Sequence, residues 1–212
     1  MTVLADKVAV LAKDRLADLG FKKRAGAIFT KDLDTDVLGW LGFNAATEHL
    51  PKGVVEINPV VGVRFQQVER VVADLEGIDF HPYLPATISS PIGYLMPERK
   101  YKGWIVDTNA AGALEAVTDL VTTIETAALP FMDSARNLEM LPKFVDEVGG
   151  FEHQLRYRRP VALMLAGDPA RALKDLDGSV ERLGARNDPA ATRFRRFAER
   201  LRRRLVEERQ HG

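Results

Sequence analysis

The chain has 212 residues, of which 46% are hydrophobic and 28% charged, and its 30 basic side chains balance 30 acidic ones. That length can bury a core without metal or disulfide staples, and the absence of cysteine excludes disulfides, thiolate metal sites and a cysteine nucleophile. The neutral total hides an asymmetry: residues 1–150 carry 15 basic and 21 acidic side chains, a balance of −6, and residues 151–212 carry 15 and 9, a balance of +6.

Residues 2–19 predict an amphipathic helix with Leu4, Val8, Leu11, Leu16 and Leu19 near one face, stopped by Gly20. Charges at Asp6, Lys7, Lys13 and Asp14 interrupt any signal-peptide core. No apolar run reaches the ~18 residues of a membrane span, so the expected home is the cytoplasm, with no membrane partner. Three strand-like runs follow at 21–31, 38–46 and 53–65, joined by the short polar segments "DLDTD" and "EHLPKG", which predicts an antiparallel meander. Asp32, Asp34 and Asp36 have the alternate spacing that opens a calcium loop. Val37 replaces the required glycine and Phe43 the bidentate acid, so a solvated turn is expected instead.

A helix then runs through Val68, Val71, Val72 and Leu75 to Gly77. Residues 78–93 are expected to form a loop, being broken by Pro82, Pro85 and Pro91 and rich in aromatic residues, among them Phe80, His81 and Tyr83. Strands near 93–97 and 102–107 are expected as a hairpin. From Asn109 the period is helical, with Leu114, Val117, Leu120, Ile124 and Phe131 in one stripe and a kink or end at Pro130. Ser134 is expected to cap a helix carrying Leu138, Leu141, Phe144 and Val145, ending at Gly149-Gly150. A short helix is expected over 159–166. Asp168-Pro169 and Asp188-Pro189 each place a capping acid before a first-turn proline, which predicts helices at 169–184 and 189–209.

The order of elements makes the fold class α+β: a mainly antiparallel sheet of about five strands with helices on one face and an all-helical C-terminal part. Gly149-Gly150, where the charge changes sign, marks the expected boundary between an α+β domain at 1–148 and a helical region at 151–212 packed on it.

The stretches "LADLGFKKRAGAIFTKD", "GWLGFNAA" and "VEINPVVGVRFQQVERVVADL", with the later "ALPFMD" and "LAGDPARAL", resemble the uncharacterised bacterial family known as domain of unknown function 4304. The resemblance is carried mainly by residues 10–75. It implies an α+β fold and a bacterial source, and it carries over no catalytic residues. A defence or immunity role enters by analogy alone.

Two surfaces are candidates for function. Pleat parity sets Val55, Ile57, Val61 and Val63 against Glu56, Asn58 and Arg64, and adds Trp40 and Asn44 to the polar side. With His81 in the 78–93 loop, these residues read as a recognition surface for another protein, without catalysis or cofactor. Near the C-terminus, Phe194, Phe197, Leu201 and Leu205 form a stripe ringed by arginines. Arg195, Arg196, Arg200, Arg203 and Arg204 are the candidates for the alternative of nucleic-acid binding. A hydrolytic site near His81, Glu56 and Arg64 is a third reading. No metal site is expected, because His49, His81, His153 and His211 show no ligand spacing.

Overall fold

The computed structural model describes residues 3–109, 112–141 and 152–211. Their contacts fall into two units: Met1–Arg64 with Ile88–Arg136, and Phe65–Thr87 with Asn137–Gly212. The fold is α+β, as expected. The partition differs from a cut at 149–150. Gly149-Gly150 lies outside the described residues, and the segment 65–87 groups with the C-terminal helices rather than with the sheet.

The first unit opens with α1 (Val3–Asp18), which buries Ala5, Val8, Ala9, Ala12 and Leu16 and leaves Val10 and Leu11 exposed. The buried face is therefore rotated toward small residues from the leucine face read off the sequence. A row of alanines at helical spacing lets the helix lie close to its neighbours. Gly20 ends it at φ 85°, donating to Ala17 while Phe21 donates to Leu16.

The sheet is six-stranded: β1 (Lys22–Lys23), β2 (Ile28–Asp34), β3 (Val37–Ala46), β4 (Val54–Phe65), β5 (Ile88–Pro91) and β6 (Trp104–Asp107). The run 21–31 is not one strand. A turn at Gly26-Ala27 folds it so that Lys22 faces Thr30 and Lys23 faces Phe29. The long β4 pairs with β6 through Val54–Ile57 and with β5 through Val60–Val63.

The hairpin expected near 93–107 is absent among the described residues. Ile92–Tyr94 form a 3-10 turn, and β6 pairs with β4 instead. Gly93 approaches the 100–102 backbone so closely that a Cβ would lie 2.2 Å from the Lys100 carbonyl oxygen. That is close packing without a ladder.

Phe29, Leu41, Phe43, Val55, Ile57, Trp104 and Val106 form the buried face. Helices α1, α3 (Ala113–Thr123) and α4 (Leu129–Ser134) belong to this unit, with α1 packed on β3 and α3 packed on β6. A π-helical segment, Ile124–Ala128, joins α3 to α4, and its wider turn lets the chain run through Pro130. Leu114 is exposed, whereas Val117, Leu120, Ile124 and Phe131 are buried. Ser134 does not cap a following helix: its hydroxyl donates to the Phe131 carbonyl, and Asn137 caps a 3-10 turn at Leu138–Met140. Phe144 and Val145 lie outside the described residues.

In the second unit, α2 (Gln66–Glu76) packs on α5 (Glu152–Leu165) and α7 (Pro189–His211), and α6 (Pro169–Leu183) packs on both of those. The helix expected at 159–166 begins earlier, at Glu152, and contains Pro160. Asp168 caps α6 by accepting from Arg171 N–H, and Asp188 caps α7 by accepting from Ala190 and Ala191 N–H. Phe194, Phe197, Leu201 and Leu205 are all buried, as their spacing predicts. Tyr157 meets the rings of Phe194 and Phe197 edge-on at 5.0 and 4.9 Å, an arrangement that the ring quadrupoles favour.

Candidate functional site

The sheet residues chosen for a recognition surface separate. Asn44 is exposed, while Trp40, Glu56 and Asn58 are half-buried. The Trp40 ring lies over Gly42, where a Cβ would come within 2.4 Å of it. Glu56 accepts a 2.8 Å hydrogen bond from the Tyr101 hydroxyl, and Asn58 donates to the Lys102 carbonyl at 2.7 Å. Segment 101–103 thus occupies these two polar groups.

Arg64 is fully buried, which corrects the expectation that it faces solvent beside Glu56. Alternation holds only as far as Asn58. From Pro59 to Phe65 every residue of β4 is buried, as in a strand covered on both sides. Parity fixed the side to which Arg64 points and could not say that this side is covered.

His81 belongs to the other unit, exposed, with its Nδ1 accepting from Tyr83 N–H at 3.3 Å and its ring edge-on to Tyr83 at 4.6 Å. Among the described residues, no three His, Asp or Glu side chains converge as metal ligands, and no helix is long and apolar enough to cross a membrane.

The arginines of α7 divide by what they touch. Arg195 donates to the Gly184 carbonyl at 2.8 Å, at the end of α6. Arg200 donates to the Leu75 carbonyl at 2.9 Å and closes the last turn of α2, where helix carbonyls lack partners. Arg204 lies 3.7 Å from Asp74, and Arg202 pairs with Asp177. Arg196 and Arg203 are exposed and make no hydrogen bond or ion pair among the described residues. Of the five arginines singled out by sequence, three hold helices together and two are available.

Beside this helix lies an open groove of about 650 Å³. Arg193, Arg196 and Arg200 line it from α7, with Leu75, Glu76 and Ile78 contributed by the end of α2 and the residues after it. Positions 193, 196 and 200 share a helix face, one step around from the buried stripe at 194, 197 and 201. Ile78 is 59% exposed, an apolar contact point among the cations. Burial pushes the Glu76 carboxyl above its ordinary range, and Glu69 adds to that, while Arg193, Arg158 and Arg156 pull it down.

The site has charge, an apolar foothold and access. Glu76 and Ile78 were not among the residues chosen from sequence, and Arg193 belongs to the arginine ring read there without being one of the five singled out. The signal for Arg193 was present in its spacing to Arg196 and Arg200, whereas the approach of α2 was not visible in the sequence.

No protein-family model, no curated protein and no solved structure matches this chain.

Proposed function

We propose that the protein is a non-catalytic binding module that docks an acidic protein segment in the groove between α2 and α7. The observation that carries this reading is the row Arg193, Arg196, Arg200 beside the exposed Ile78. Cations at the rim steer and orient an acidic partner, and a central apolar contact supplies most of the affinity. This shifts the docking surface from the polar sheet face to the helical unit. The reason is that Arg64 is buried and Glu56 and Asn58 already have hydrogen-bond partners within the fold.

The test is a fluorescence-anisotropy titration of labelled acidic peptides carrying one leucine anchor, run beside single- and double-stranded oligonucleotides. Saturable peptide binding that Arg196→Glu weakens by about tenfold or more supports the reading. Retention of oligonucleotide with a steep salt dependence, without peptide binding, replaces it with nucleic-acid association through the same arginines.

A further inference from the structure

A second concavity in the helical unit lies between α5 and α6, well apart in sequence from the groove that α2 and α7 form. Its volume is about 480 Å³, and its lining is Arg159, Arg171, Lys174, Asp175, Gly178 and Arg182. No aliphatic or aromatic side chain is among them. Four cations face one carboxylate, and Asp175 sits 3.3 Å from the Arg159 guanidinium, which leaves three positive charges in excess. Arg182 is anchored by a 2.8 Å bond to the Ser179 hydroxyl. Arg171 and Lys174 are exposed, and their side chains make no hydrogen bond or ion pair among the described residues.

Like charges gathered on one helix face repel each other, so the arrangement costs stability unless a counter-charge is held there. Gly178 points the same way. Glycine is a poor helix former in the interior of a helix, and α6 carries it ten residues into its 15-residue span. Packing does not require it: a Cβ there would meet only the Arg182 guanidinium, at an ordinary 3.6 Å. What the missing side chain provides is room on the floor of a cationic cleft.

We propose that this cleft binds a compact anion bearing two phosphate groups. Guanidinium and ammonium groups recognise phosphate oxygens through charge-assisted hydrogen bonds, and an excess of three positive charges matches a diphosphate. A lining without apolar or aromatic residues grips the phosphates and not a base or acyl group. Free pyrophosphate and the diphosphate of a nucleotide share this chemistry.

Calorimetric titration of the full chain with pyrophosphate, orthophosphate and a nucleoside diphosphate tests the assignment. The expected result is saturable binding of pyrophosphate to one site, weakened by about tenfold or more in the Arg171→Ala/Lys174→Ala double variant. Gly178→Ala provides an independent arm. It should raise the melting temperature, because alanine favours the helix, and weaken pyrophosphate binding, because it narrows the floor.

A nucleoside diphosphate that binds as well as pyrophosphate identifies the diphosphate as the recognised group. A much tighter nucleoside diphosphate would mean that the base is read, which this lining cannot do, and would overturn the proposal. Absence of saturable pyrophosphate binding, equal binding of orthophosphate, or unchanged binding in both variants would overturn it too. So would loss of binding in Arg196→Ala, which would place the anion in the other groove.

Discussion

Arg158 and Glu69 form a two-pronged ion pair in the interior of the helical unit: Nε meets Oε1 at 2.7 Å and a terminal guanidinium nitrogen meets Oε2 at 2.9 Å. Both side chains are buried, and Thr87 donates a further 2.8 Å bond to Glu69 while accepting one from Phe65 N–H. The pair ties α2 to α5 across 89 positions of sequence. Removing one partner strands a buried charge. Glu69→Ala should cost about 3–5 kcal/mol in urea titration, and replacing both residues by apolar ones of similar volume should recover most of that. A single variant as stable as the parent would show that the pair carries no weight.

The ring cluster gives the second expectation. Phe197 is buried and packed against Tyr157 and Phe194. Phe197→Ala should lower stability by about 3–5 kcal/mol, read from the urea midpoint at unchanged slope.

Arg64 and Asn44 should part company, although sequence parity places them on the same sheet surface. Arg64 is wholly excluded from solvent, and Arg64→Ala should cost at least about 2 kcal/mol, because truncating so large a buried side chain leaves a cavity. Asn44 is exposed, and Asn44→Ala should stay within about 0.5 kcal/mol of the parent. Equal and small effects at the two positions would restore the open polar face.

Glu76 sets a pH dependence. Its folded carboxyl titrates above the unfolded value of 4.5, burial being the main cause. The folded state therefore binds more protons than the unfolded chain between those two values. Its contribution to stability is full below the unfolded pKa and is lost as pH rises through the folded one. Glu76→Gln should be more stable than the parent at neutral pH, and the advantage should vanish in acid. Thermal melts at a series of pH values check this, and a difference that grows as pH falls would refute it.

Local chemistry was legible in the residues themselves. The two Asp-Pro pairs start α6 and α7 where they stand, because a capping carboxylate and a first-turn proline act within one turn of the chain. The Phe194–Leu205 stripe is buried as read, since a helical period identifies the face needing cover, whatever supplies it. The alternation at 54–58 likewise holds, with Val55 and Ile57 buried and Glu56 and Asn58 half-covered. What failed involved distant partners. β6 pairs with β4 and not with its neighbour in sequence, and α1 buries three alanines beside Val8 and Leu16 while Leu11 is left exposed.

The candidate site shows the same division. Sequence alone determined that α7 has an apolar stripe edged by arginines, because side-chain direction follows from helix geometry. Which arginines are available was decided by the fold: Arg200 is taken up by the end of α2, Arg195 by the end of α6 and Arg204 by Asp74, while Arg196 and Arg203 are left over. Arg64 is the mirror case, a cation whose side of the strand was readable and whose burial was not. Periodicity acts over a few residues and fixes which way a side chain points. What lies opposite it depends on contacts between distant parts of the chain, and those exist only in the folded structure.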